Sequence, residues 1–181
     1  MDIGVPIRPL GEVDAKPLID KVKSLDAEVW NSCDLRQKAY DVHSDTKSIV
    51  LLFARGWPNV RVEQYPGWPH LAREAVPLMA DIIKKHYTDG GSIIRAMVAN
   101  LVKGGTISEH YDAAPSFKYG HRIHVPLQTN DKVRFLIEGK RHIMKVGEAY
   151  EINNLKDHAV YNEGDEDRYH LVFDYVPPEV A

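Results

Sequence analysis

Along the chain, the apolar positions change their period near residue 91. Before that point the spacing is mainly helical. Leu18, Ile19, Val22 and Leu25 form one stripe, with Asp14 placed to cap the helix and Pro17 tolerated in its first turn. A short apolar run, Ser48 to Phe53, reads as a buried strand that ends at Arg55, Gly56 and Pro58. From Trp68 to Tyr87, Leu71, Ala75, Leu78, Ile82 and Ile83 recur at helical spacing, and Pro77 predicts a kink or a break between two helices. Asp89, Gly90 and Gly91 close that half.

Downstream, the pattern is one of strands and turns. Ser92 to Val102, Thr106 to His110, His121 to Leu127, Val133 to Glu138, Arg141 to Lys145, Ala149 to Ile152, His158 to Asn162 and Arg168 to Asp174 form the series. Gly104–Gly105 and Gly139–Lys140 are turn signals between them. Short strands at this spacing, with helices only ahead of them, predict a mainly β protein with N-terminal helices. The fold expected is a double-stranded β-helix, a jelly-roll barrel of the cupin-like kind. The expected organisation is a single domain over 1–181, with about 1–91 as a helical, substrate-side portion and about 92–176 as the jelly-roll core.

Composition narrows the function classes. The chain has 181 residues, 44% of them apolar and 27% charged, as in an ordinary globular domain with a sizeable core. A net charge of −3 without a dense Lys/Arg run gives no reason to expect nucleic acid or an anionic membrane as a partner. No secretory signal is visible at the start, and no apolar run approaches the roughly 20 residues a bilayer span needs, so the expected location is cytoplasmic. Cys33 is the single cysteine, which excludes an internal disulfide and a cysteine-rich zinc site.

Metal chemistry enters with His110 and Asp112. In extended backbone, side chains at i and i+2 project to the same face, so one cation can take both. Among the downstream histidines, His158 is best placed as the third ligand, at the start of a strand and after a turn; His121, His124, His142 and His170 compete. Two neutral imidazoles and one carboxylate leave coordination positions open, as non-haem Fe(II) oxygenases require for a bidentate co-substrate and O2. Taken alone, the HxD also describes a surface histidine beside a turn aspartate, so the residues around it matter.

Arg168 follows His158 by ten residues inside a strand-like segment. A guanidinium turned into a barrel needs an anion, and the distal carboxylate of 2-oxoglutarate would fit its fork. Arg122 and His124 share one face of a strand whose other face is apolar; alternation leaves open whether that pair faces solvent or lines the cavity. Asn162 shares the face of His158 and Val160, which would let it hydrogen-bond near the metal.

The stretches GGTISEHYD, RIHVPL and GEAYEINNLKDHAVYNEGDEDRYHLVFD, in that order over roughly the last 80 residues, resemble the aspartyl/asparaginyl β-hydroxylase family of 2-oxoglutarate oxygenases. The resemblance implies His110 and His158 as iron ligands and Arg122, His124 and Arg168 as 2-oxoglutarate contacts. Animal members can lack the carboxylate that Asp112 supplies here, and bacterial amino-acid hydroxylases of similar type have it. A family serine that helps to hold the co-substrate corresponds to Ala99, which leaves Tyr119 or Tyr150 as replacement donors.

The implied cofactors are Fe(II), 2-oxoglutarate and O2, and the implied reaction is hydroxylation of an unactivated C–H bond of an amino acid, free or in a peptide. These 181 residues show no helical-repeat region like that of animal relatives, which favours a small amino-acid substrate. Arg36, His43, Arg55 and Arg95 could pair with a substrate carboxylate, and Trp57, Tyr65 and Trp68 could wall its pocket. Two other readings stay open: a cupin-like metalloenzyme that does not use 2-oxoglutarate, and a non-catalytic binding or sensing barrel.

Overall fold

The computed structural model describes residues 1–31 and 45–178. Eleven strands form two antiparallel sheets among these residues. The larger sheet has the order β1 (Ile7–Glu12), β9 (Glu148–Ile152), β6 (His121–Gln128), β11 (Arg168–Val176), β4 (Ser92–Leu101), β2 (Thr46–Arg55), β3 (Arg61–Gln64). The smaller has β5 (Thr106–His110), β10 (His158–Asn162), β7 (Val133–Ile137) and β8 (Lys140–His142). From β4 onward the chain passes back and forth between the sheets, which is the jelly-roll path anticipated from the strand spacing.

The helical portion differs from expectation in three ways. β2, the strand expected over Ser48 to Phe53, lies beyond β4 in the larger sheet, whereas β3 and β1 at its two edges were not expected, so the first 91 residues supply three strands as well as helices. Helix α1 (Lys16–Lys23) starts after Ala15 without a side-chain cap, so Asp14 does not cap it. A short α2 (Ala27–Asn31) follows. Helix α3 runs unbroken from Trp68 to His86 with Pro77 inside it. Its buried stripe of Leu71, Ala75, Leu78, Met79, Ile82 and Ile83 packs on the sheet, and that burial outweighs the hydrogen bond a mid-helix proline removes. No helix among the described residues is long and apolar enough to cross a membrane.

The helices decide which side of the larger sheet is inside the barrel. Ile49, Leu51, Ala96, Val98, Ile123, Val125, Leu127, Leu171, Phe173 and Tyr175 pack with α1 and α3 in one core. The alternate residues of the same strands therefore turn towards the smaller sheet. These include Arg95, Arg122, His124, Arg168, His170 and Asp174, all largely buried. A second core of Leu101, Phe135, Ile137, Met144, Tyr150, Ile152 and Val160 closes the space between the sheets. The question left open for Arg122 and His124 is thus answered: they line the interior.

Two turns set the strand register. At Glu138–Gly139, one residue ahead of the expected pair, both residues have positive φ (51° and 73°), the conformation that suits a two-residue hairpin, and Ile137 pairs with Lys140 across it. Gly104 (φ 71°) lets the chain leave β4 and enter β5, where the Gly105 carbonyl accepts from Asn162 N–H at 3.0 Å.

Candidate active site

His110 ends β5 and His158 begins β10, and the two are direct partners in the antiparallel ladder. Their ring centroids lie 4.4 Å apart. Asp112 follows two residues after His110, held by its N–H donating to the Asn154 carbonyl at 3.0 Å. The donor atoms of His110, Asp112 and His158 lie within 4.8 Å of one another, close enough to share one cation.

Backbone carbonyls set the tautomers. His110 Nδ1 is 2.7 Å from the Ser108 carbonyl, and His158 Nδ1 is 2.9 Å from the Lys156 carbonyl. A carbonyl can only accept, so each Nδ1 carries the proton and each Nε2 keeps its lone pair for a metal. Burial pushes the His158 imidazole below its ordinary value against the opposing pull of Asp112, which favours the neutral, ligating form.

Asp112 is held from the other side by Arg122, whose Nη1 contacts Asp112 Oδ2. The same guanidinium donates from Nε to Asp174 Oδ1 at 2.7 Å and from Nη2 to Asp174 Oδ2 at 2.8 Å. Arg95 completes the group: Nη1 reaches Asp174 Oδ2 at 3.2 Å and Nη2 the Ser116 hydroxyl at 2.8 Å. Phe117, in a 3₁₀ turn over Pro115–Lys118, covers both arginines at 4.5 and 4.4 Å. Burial opposes the Arg122 charge, but Asp112 and Asp174 outweigh it and hold the group firmly protonated. Burial likewise resists the Asp174 charge and loses to Arg122 and Arg95, so that carboxylate stays below its ordinary range.

Arg168 is different. It is 4% exposed; Nη2 donates to His170 Nδ1 at 2.8 Å, and Nε has no partner. Among the described residues no salt bridge is made to it, and burial pushes the guanidinium down to about 9. His170 Nδ1 accepts from Arg168 and lies 3.4 Å from His124 Nδ1; burial first, then Arg168 and His124, drive His170 far down and keep it neutral. A cavity of about 290 Å³ opens beside Arg168 and His170, lined also by Phe135, His142, Asn130 and Thr129. A fixed cation with an unsatisfied donor at a cavity is a site for an anion.

His110, Asp112 and His158 converge, and His124 and Arg168 lie on the same inner face. Arg122 does too, with its fork engaged by Asp112 and Asp174. Asn162 is not beside the metal ligands. It lies four residues along β10 from His158, about 13 Å away at the rise of a strand. Its amide nitrogen donates to the Glu166 carbonyl at 2.8 Å and its oxygen accepts from Asn130 at 3.1 Å, so it holds the β10–β11 turn. Arg95 belongs to the Asp174 network and Arg55 to Tyr65 at the surface. Trp57 stacks on Tyr119 with centroids 5.0 Å apart, Tyr65 meets Phe53 edge-on, and Trp68 packs against the helical core. Cys33, Arg36 and His43 lie outside the described residues. The sequence pattern assigned no role to Asp174 or Ser116; an acid directly after the apolar run Leu171–Phe173 was the available signal for the former.

A jelly-roll barrel with an inward two-histidine, one-carboxylate cluster and a buried, anion-seeking arginine defines a 2-oxoglutarate–iron oxygenase. The family model described as aspartyl/asparaginyl beta-hydroxylase matches residues 19–178, and the chain belongs to that family. It is accordingly an Fe(II)- and 2-oxoglutarate-dependent oxygenase. A search among curated proteins returned no match.

Solved structures share the fold at low identity. A 2OG-Fe(II) oxygenase family oxidoreductase from Burkholderia pseudomallei is 16% identical, with a TM-score of 0.53 over 72% of this chain and 67% of that one. Viral collagen prolyl hydroxylase from Paramecium Bursaria Chlorella virus-1, solved as a 2OG complex, is 12% identical (TM-score 0.53; 96% and 97% covered). HygX from Streptomyces hygroscopicus, solved with nickel, 2-oxoglutarate and hygromycin B, is 11% identical (TM-score 0.52; 96% and 83% covered).

Proposed function

We propose that the protein hydroxylates an unactivated C–H bond of an amino acid, free or within a peptide, with His110, Asp112 and His158 as the iron ligands. The observation that carries this reading is the pairing of a converged ligand triad with an arginine buried without an anion on the inner face of the same barrel. The donor set fits Fe(II): two neutral imidazoles and a carboxylate, with no thiolate to close a zinc shell. The chemistry supplied when iron is bound is oxidative decarboxylation of 2-oxoglutarate to succinate and CO2, coupled to hydroxylation.

The chain's own residues bind, orient and exclude water. Ser108 and Lys156 carbonyls fix the imidazole tautomers, and Arg122, itself anchored on Asp174, fixes the Asp112 carboxylate. Arg168 takes the distal carboxylate of the co-substrate, with His124 and His170 beside it. Phe117, against the Arg122 guanidinium, supplies apolar surface suited to the body of an amino-acid side chain. This arrangement needs neither a nucleic acid nor a membrane surface as partner.

The test is an anaerobic titration of Fe(II) and then 2-oxoglutarate, followed by a turnover screen over free amino acids and short peptides. The expected result is a metal-to-ligand charge-transfer band on adding 2-oxoglutarate, and succinate formation that tracks hydroxylated product. Iron binding with no band and no succinate across the screen would refute it.

A further inference from the structure

The family resemblance implies a co-substrate-binding serine at the position of Ala99, whose methyl group offers no donor, so a second donor for the distal carboxylate would come from elsewhere. Neither tyrosine supplies it. Tyr150 OH already donates to Glu148 at 2.6 Å and accepts from Lys145 N–H at 3.0 Å, and Tyr119 is exposed and stacked on Trp57. Ser48 is closer in register: it pairs with Ala99, is buried, and its hydroxyl has no partner. Yet Ser48 sits on β2, two strands from β11, and does not line the cavity beside Arg168.

His142 does line it. Its strand, β8, is the outermost of the smaller sheet, and it pairs directly with Phe135 of β7. Phe135 lies 5.6 Å beneath the Arg168 guanidinium, so the ladder partner of His142 is the residue whose ring supports Arg168. Both present a buried nitrogen without a partner, Nε2 on His142 and Nε on Arg168, in the same cavity of about 290 Å³. Two unsatisfied donors beside one cavity fit a single carboxylate with two oxygens.

We propose that His142 is a co-substrate-binding residue, donating from Nε2 to the distal carboxylate held by Arg168 and replacing the hydroxyl that Ala99 lacks. This rests on the 2-oxoglutarate reading above. Burial, and then Lys140, push the His142 imidazole below its ordinary value, so the ring acts as a neutral donor near pH 7 and the binding does not need a second cation. The smaller sheet thereby contributes to anion recognition alongside β11.

The experiment is an anaerobic titration of the Fe(II)-loaded protein with 2-oxoglutarate, followed by the charge-transfer band, for wild type, His142→Ala, His142→Gln and Ser48→Ala, with thermal unfolding of each. Removing one hydrogen bond to a charged group should raise the 2-oxoglutarate Kd of His142→Ala about tenfold or more. His142→Gln, which keeps an N–H donor, should recover part of that loss, and Ser48→Ala should bind like wild type. An unchanged Kd in His142→Ala, equal losses in both His142 variants, or a larger loss in Ser48→Ala would overturn the proposal. Wild-type protein that binds Fe(II) but gives no band would overturn the 2-oxoglutarate reading itself.

Discussion

Replacing Arg168 by methionine should make the ligand-free protein more stable and blind to 2-oxoglutarate. Burial moves the guanidinium well below its ordinary value, to about 9, which corresponds to about 5 kcal/mol against the charged form. The contacts that offset this are one hydrogen bond to His170 and the Phe135 ring at 5.6 Å, together worth about 2 kcal/mol. Methionine has similar length and no charge, so the net gain should be about 1–4 kcal/mol, the range seen when buried ions give way to apolar residues. For a chain of this size, each kcal/mol moves Tm by about 2–4 °C. With iron in place and 2-oxoglutarate at a hundred times its wild-type Kd, the wild type should gain about 2.7 kcal/mol and the variant less than about 0.5. The assay is urea unfolding of both proteins with and without the co-substrate. A methionine variant that is less stable without ligand, or that keeps the wild-type gain, would refute the reasoning that Arg168 is held charged for an anion.

Asp174→Asn should lower stability by about 3–5 kcal/mol, because it leaves Arg95 and Arg122 buried around a neutral group; the urea midpoint should fall with the slope unchanged. Arg122→Met removes the group that orients Asp112 and should weaken Fe(II) binding about 10- to 100-fold, with Asp112→Ala weaker still, read by anaerobic competition with a chromogenic chelator. His170 is buried and held neutral, so the unfolded chain binds the extra proton below its ordinary 6.5: its contribution is complete above that value and is lost as pH falls below it. Unfolding free energy should therefore decline from pH 6.5 to 5 in the wild type and less steeply in His170→Asn. A second decline, from the depressed Asp174, should begin below about 4 in both.

What the sequence determined was local. Short strand-forming runs between turn signals located the eight jelly-roll strands, the 3.6-residue stripe located α3 to within a residue, and the i, i+2 rule put His110 and Asp112 on one face, because each depends on neighbours in the chain. Arg168 stood out as a charge inside an otherwise apolar strand. The edge strands β1 and β3 escaped notice because their residues are mostly exposed, with Leu10 the buried residue of β1, and leave little alternation to read.

The tertiary structure decided everything that depends on which elements meet. Alternation along β6 offered two faces for Arg122 and His124, and only the packing of α1 and α3 on Ile123, Val125 and Leu127 turned the polar face inward. Asn162 and His158 share a face, but a strand separates its residues by its rise, so Asn162 serves the β10–β11 turn while His158 meets His110 across the ladder. Asp174 became the anchor of Arg95 and Arg122 because β11 lies between β4 and β6, a neighbourhood fixed by strand order and not by sequence distance.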